Sequence, residues 1–64
     1  MISYDVLVLD RKKPEFLEPL IVDWVITEGD ILKINEKEYL LLEITSYPID
    51  HGERKPLLLV MLNR

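Results

Sequence analysis

The chain has 64 residues, one histidine and no cysteine, and its 12 acidic against 8 basic residues give a net charge of −4. The absence of cysteine excludes disulfides and thiolate metal ligands, and one histidine does not build a histidine metal site. A chain this short buries only about 60% of the surface that it exposes when unfolded, so association with another chain is the remaining source of added stability.

The hydrophobic fraction of 48% is that of a folded domain rather than a disordered one. The longest apolar run, residues 57–62, is far shorter than the roughly 20 residues of a membrane-spanning helix. The start of the chain lacks the basic residues and the small-residue cleavage site of a signal peptide. We therefore expect a soluble, cytoplasmic chain with no membrane span.

The first predicted strand covers residues 2–9, where apolar and polar side chains alternate at the start. One face of this strand carries Ile2, Tyr4, Val6 and Val8. The other face turns apolar at Leu7 and Leu9. A polar loop, residues 10–19, follows, and its prolines exclude a helix within it.

The second predicted strand covers residues 20–27 and is rich in branched and aromatic side chains. Gly29, which adopts positive φ without strain, supplies the turn after it. A short strand follows at residues 31–34. Asn35 closes a hairpin there, because asparagine tolerates the left-handed conformation that such turns require.

The next segment, residues 38–45, alternates as a strand. Its expected core face consists of Leu40, Leu42 and Ile44. A short helix near residues 36–43 is the alternative, because Asn35 followed by Glu38 resembles a capping box. The spacing suits pairing with the preceding strand, so the strand is preferred.

A second polar loop, residues 47–56, leads to the last predicted strand at residues 57–62. Five short strands joined by two tight turns and two loops of about ten residues indicate an all-β fold. We predict that residues 1–64 form a single domain, a small five-stranded antiparallel barrel or rolled sheet of Src-homology-3-like architecture. An α+β fold with the short helix near residues 36–43 is the alternative.

Residues 24–30 read WVITEGD. This segment resembles the W-x-x-x-E-G-D segment of lipoyl and biotinyl carrier domains. Those domains continue with a short strand and then a turn that displays the modified lysine. Here residues 43–46 stand where the lysine motif is expected, and no lysine follows until Lys55. The resemblance covers about 25 residues without the defining lysine, so we interpret it as convergent hairpin chemistry and assign no carrier function.

His51 follows Asp50, but adjacent residues of an extended loop point apart and make a poor acid–base pair. No serine or threonine has the surroundings of an activated nucleophile. Two glycines do not make a phosphate-binding loop. We predict no catalytic residue, no cofactor and no metal site, and therefore no enzyme.

Positive charge is concentrated in the two predicted loops. The residues that carry this charge are Arg11, Lys12, Lys13, Arg54 and Lys55. If both loops lie at one end of a barrel, these residues form a basic patch able to hold nucleic acid or an acidic peptide. The acidic balance of the whole chain disfavours nucleic acid as a partner, so a nucleic-acid-binding barrel is only the second function considered.

The strands at residues 20–27 and 57–62 are apolar on both faces, which is more than a small barrel can bury. Exposed apolar surface of that extent usually marks a protein interface. The expected partner-binding residues are Trp24, Tyr47, Leu58, Val60 and Leu62. The favoured function is a non-enzymatic protein-protein interaction module that binds another protein or itself, as a homo-oligomer, and acts as a subunit, assembly factor or regulator of a larger complex. An enzyme or cofactor-carrier domain is the weakest alternative.

Overall fold

The computed structural model describes residues 2–10 and 12–63, which form six strands and a single 3-10 turn. The strands are β1 (Ile2–Val8), β2 (Glu15–Phe16), β3 (Leu20–Val22), β4 (Ile31–Ile34), β5 (Lys37–Pro48) and β6 (Arg54–Leu62). The turn, Asp50–Gly52, joins β5 to β6. Strands dominate the described chain, so the all-β prediction is confirmed.

The strands form one sheet whose centre pairs the two ends of the chain. The order across the sheet is β2-β1-β6-β5-β4, and β3 also pairs with β1. β1 and β6 are parallel, whereas the other strand pairs among the described residues are antiparallel. The sheet is mixed and open, so the predicted all-antiparallel pairing and closure into a five-stranded barrel are wrong, and the Src-homology-3-like assignment gains no support.

Between β3 and β4 the chain leaves the sheet as a crossing segment, residues 23–30, which carries Ile26 into the core. Its turn is held by Asp30, whose carboxylate accepts a hydrogen bond from the Thr27 N–H at 2.9 Å. Gly29 lies in this turn with φ 94°, which confirms its predicted role. The strand predicted over residues 20–27 therefore ends at Val22. The chain restarts at the opposite edge of the sheet, and this is why β6 reaches β1 in parallel.

The core lies between one face of the sheet and the crossing segment. Its buried members are Val6, Val8, Val22, Ile26, Leu32, Ile34, Tyr39, Leu41, Leu58 and Val60. Four partly buried side chains pack against them: Tyr4, Leu17, Leu20 and Leu62. The alternation predicted for β1 is confirmed at Tyr4, Val6 and Val8, although Ile2 at the end of the strand is exposed.

A bulge at Leu42 decides which side chains of β5 reach the core. Leu41 and Glu43 pair with neighbouring residues of β6, so Leu42 is an extra residue on β5. Leu41 is buried, whereas Leu42 and Ile44 are exposed and Leu40 is half-buried on the opposite face. The predicted core face is therefore wrong at Leu40 and Leu42, whereas Ile44 lies opposite buried Leu58 on the core side but is exposed itself. Three consecutive leucines carry no alternation that identifies a face.

The strand preferred over residues 38–45 is confirmed, and the alternative of a short helix near residues 36–43 is wrong, because β5 is a strand of 12 residues. The hairpin predicted at Asn35 is confirmed: Asn35 has φ 50° and Glu36 has φ 67°, as a tight two-residue hairpin turn requires. The second polar loop is shorter than predicted. β5 continues to Pro48 and β6 begins at Arg54.

Adjacent leucines of β5 test the assignment of the core face. Leu41 is 1% exposed and Leu42 is 42% exposed. We expect Leu41→Ala to lower the free energy of unfolding by about 3 kcal/mol, because it leaves a cavity in the core. Leu42→Ala, the control, should cost less than about 1 kcal/mol. Urea unfolding measures both values, and equal losses would contradict the observed register.

Candidate functional site

The face of the sheet opposite the core is also apolar. We call this surface the outer face, and eight apolar side chains belong to it, seven by the strand register and Leu9 by continuing the alternation of β1 beyond Val8. They are Leu7, Leu9, Phe16, Ile31, Leu40, Leu57, Leu59 and Met61. None of the eight belongs to the core cluster, and each is half-buried or exposed.

The register arranges the outer face in two rows, each of which crosses three strands. In one row Ile31 on β4 lies opposite Leu40 on β5, and Leu40 lies opposite Met61 on β6. In the next row Phe16 on β2 lies opposite Leu7 on β1, which in turn faces a leucine of β6. The apolar surface therefore extends over five neighbouring strands.

The described part of the chain leaves this surface open. Its strands form a single sheet, and the crossing segment packs on the core side through Ile26. Phe16 and Ile31, near the two edges of the outer face, are 61% and 48% exposed. A shallow groove of about 390 Å³ opens at one end, with Leu40 and Met61 in its lining. The outer face is thus a broad apolar surface that residues 2–10 and 12–63 do not cover with a second layer.

A polar cluster closes the other end of the outer face. It consists of Asp5 on β1, Tyr47 on β5 and Lys55 on β6. The Tyr47 hydroxyl donates a hydrogen bond to Asp5 Oδ2, and Lys55 Nζ lies 3.1 Å from Asp5 Oδ1. Tyr47 lies opposite Lys55 in the β5–β6 hairpin, and the parallel neighbour β1 supplies the carboxylate.

These three side chains shift the pKa values of one another. The hydrogen bond from Tyr47 lowers the pKa of Asp5 below its ordinary value of 3.8, burial opposes this, and Lys55 lowers it further. The hydrogen bond to Asp5 raises the pKa of Tyr47 above 10.0 and that of Lys55 above 10.5. At neutral pH the cluster therefore holds one carboxylate, one phenol and one ammonium group. It ties the hairpin to β1 and is electrically neutral.

The five predicted partner-binding residues lie in different surroundings. Trp24 is 59% exposed on the crossing segment, and Tyr47 belongs to the polar cluster. Leu58 and Val60 are fully buried, and Leu62 packs against the core, so their predicted outward placement is wrong. The physical reason is the register. Every residue from 57 to 62 is apolar, so the sequence does not indicate which alternate set faces the core.

Sequence reasoning therefore missed the outward set of the last strand. Leu57, Leu59 and Met61 alternate with the buried residues of β6 and lie on the outer face. One signal was present in the sequence: the second face of the first strand turns apolar at Leu7 and Leu9. Those residues mark the outer face, but only the pairing of β1 with β6 shows which residues continue it.

The predicted basic residues do not gather at one end of the sheet, and Arg11 lies outside the described residues. Lys12 and Lys13 follow Asp10, whose carboxylate accepts a hydrogen bond from the N–H of Leu62 at the end of β6. Arg54 and Lys55 are at the start of β6. Lys55 and Leu62 are separated by about 23 Å of extended strand, at about 3.3 Å per residue. The expected joint basic patch is therefore wrong. Because β1 and β6 are parallel, the lysines that follow β1 and the basic residues that begin β6 lie at opposite ends of the sheet.

Metal ligands and membrane-spanning helices are two further features that indicate function. Among residues 2–10 and 12–63, no three histidine, cysteine, aspartate or glutamate side chains gather into a possible metal site. No helix in the same part of the chain is long and apolar enough to cross a membrane.

His51 is exposed in the 3-10 turn with φ 62°, a backbone conformation that the tight β5–β6 connection requires.

Comparisons of this chain with protein-family models, with curated proteins and with solved structures found no match. Functional inference therefore depends on the outer face and the polar cluster themselves.

Tyr47→Phe tests the polar cluster. The substitution removes the largest cause of the low Asp5 pKa, so we expect that pKa to rise toward 3.8. A ¹³C NMR titration of the Asp5 carboxyl group measures it. Tyr4→Phe, on the core side of the same strand, is the control and should leave the Asp5 pKa unchanged. An unchanged Asp5 pKa in Tyr47→Phe would contradict the cluster.

The cluster also predicts how stability depends on pH. The pKa of Asp5 is lower in the folded chain than its ordinary value of 3.8, so in acid the unfolded chain binds the proton more readily. The stabilisation is present above the ordinary value and is lost as the pH falls through the folded one. Urea unfolding from about pH 6 to about pH 2 should show this loss. Asp5→Asn should flatten the profile, and Asp23→Asn, an exposed control, should not.

Proposed function

We propose that this protein is a non-enzymatic protein-protein interaction module that binds its partner through the outer face. The observation that carries the proposal is the apolar surface that crosses five strands and that the described chain leaves open. The largest contiguous apolar patch of a soluble monomer, typically about 300–600 Å², is often its functional surface. In this role the chain serves as a subunit, assembly factor or regulator of a larger complex.

The magnitude of the apolar surface indicates what kind of partner is needed. Leu9, Phe16 and Ile31 are 40%, 61% and 48% exposed, and the other five side chains are half-buried. Removing on the order of a few hundred Å² from water is worth roughly 5–10 kcal/mol at about 25 cal/mol per Å². Association costs about 4–15 kcal/mol before any affinity remains. The outer face therefore supports stable binding only when nearly all of it is covered at once. This favours a broad apolar protein surface over a small ligand.

The rim of the outer face has the polar character of an interface boundary. The polar cluster lies at one end, and Lys33 lies opposite Glu38 at the other. Glu43, opposite Leu59, interrupts the apolar rows on the β5 side. An apolar centre surrounded by solvated polar groups is the usual anatomy of a protein interface.

Trp24 supplies a further anchor next to this surface. It lines a shallow groove together with Ile31, which is itself a member of the outer face. Exposed aromatic side chains dominate the energetics of protein interfaces. The proposed binding surface therefore extends around the β4 edge to Trp24.

Leu59→Glu tests the proposed function, because it puts a charge in the middle of the outer face that a partner would have to desolvate. Affinity capture from a lysate of the native host, read by mass spectrometry, compares it with wild type. We expect captured protein to fall at least about tenfold, the loss that about 1.4 kcal/mol produces. Ile49→Glu, at an exposed aliphatic residue outside the outer face, is the matched control and should bind as wild type. Equal capture by both variants would contradict the proposal.

A further inference from the structure

We infer that the occupant of the outer face is a second copy of this chain, packed face to face about a two-fold axis. The inference rests on the proposed function and names its partner. In the resulting dimer the two outer faces form a second core between two sheets, as in a β-sandwich. Each copy then has a core on both sides of its sheet.

The edges of the sheet are poor sites for association. β4 has four residues and exposes Lys33, and β2 at the other edge has only two residues. The part of β5 that extends beyond β4 ends at Pro48, and its partner strand contains Pro56. Short strands, lysine and proline are the features that prevent edge-to-edge pairing. The unprotected surface is therefore the face of the sheet.

The dimensions of the outer face match another sheet. Five strands about 4.8 Å apart span about 19 Å. A single helix, about 10–12 Å in diameter, or one added peptide strand would cover only part of that width. A second sheet covers all of it, and packed sheets lie about 10 Å apart with interdigitating side chains. The second copy provides such a sheet with the same apolar width.

The accessible area of the chain is large for a compact monomer. The chain exposes 4785 Å² for a mass of 7.6 kDa. A typical folded monomer of this mass exposes about 4300 Å², so about 500 Å² is in excess. Stable interfaces bury about 600–1000 Å² on each partner. The excess is close to the lower end of this range, and covering the outer face removes it.

Charge on the outer face permits two copies to meet. Asp5 and Lys55 neutralise one another at one end, and Lys33 and Glu38 lie opposite each other at the other end. Glu43, opposite Leu59, adds one negative charge on the β5 side. A rim of mixed sign does not set a block of like charge against itself, and it offers no single-sign surface to a strongly charged partner. The net charge of −4 on each copy produces a long-range repulsion that salt screens. Self-association should therefore strengthen with salt.

Sedimentation velocity across a dilution series tests the dimer directly. We expect a species of twice the 7.6 kDa chain mass that dissociates on dilution and persists to lower concentration as salt is raised. Leu59→Glu should be monomeric at concentrations where wild type and Ile49→Glu are dimeric. A monomer at every concentration, or a dimer that salt weakens, would overturn the inference.

Isotope-filtered NMR on a mixture of labelled and unlabelled wild-type chains identifies the contact without any substitution. We expect intermolecular contacts among the methyl groups of Leu7, Leu59 and Met61. Intermolecular contacts confined to Val25 or to the edge of β4 would overturn the inference. Because the experiment uses only wild-type chains, its outcome does not depend on whether Leu59→Glu folds. A wild-type monomer that still captures a host protein, with capture lost in Leu59→Glu, would overturn the dimer and leave the proposed function intact.

Discussion

The parallel pairing of β1 with β6 is the contact on which the rest of the structure depends. It sets Val6 beside Leu58 and Val8 beside Val60, and all four side chains are fully buried. Without it the chain would separate into an antiparallel unit of β1 to β3 and another of β4 to β6. Each of these units contains only part of the core cluster. The crossing segment serves this arrangement, since it leads the chain from one unit to the other and adds Ile26 to the core.

The same pairing creates the outer face. The second half of β1 and most of β6 are apolar at consecutive positions, and each strand can bury only one alternate set of these side chains against the core, so the other set remains on the opposite face. Asp5 reaches the β5–β6 hairpin only because β1 lies next to β6. Stability and the proposed binding surface therefore reside on the same two strands. Alternate residues along these strands have different roles. Leu58 is buried in the core and contributes to stability, whereas its half-buried neighbour Leu59 belongs to the proposed binding surface.

Features set by a few neighbouring residues could be predicted from the sequence. Gly29 and Asn35 identified two turns because their backbone conformations are local properties, and polar interruptions in β1 identified its core side. The partner of β6 was not predictable in this way, because it lies about 50 residues earlier in the chain. The runs of consecutive apolar residues in β5 and β6 contain no polar position to reveal their faces. The outer face, which depends on those pairings, was recognised only as a surplus of apolar residues.

The distance in sequence between β1 and β6 also orders events during synthesis. β1 is made before β6, whose Leu58 and Val60 lie beside Val6 and Val8. The β5–β6 hairpin, closed by a short connection, can form as soon as its own residues are made, whereas the central pairing joins strands about 50 residues apart, which is slow for non-local sheets. The core is therefore complete only after β6 has been made, and until then Val6 and Val8 lack their neighbours on that strand.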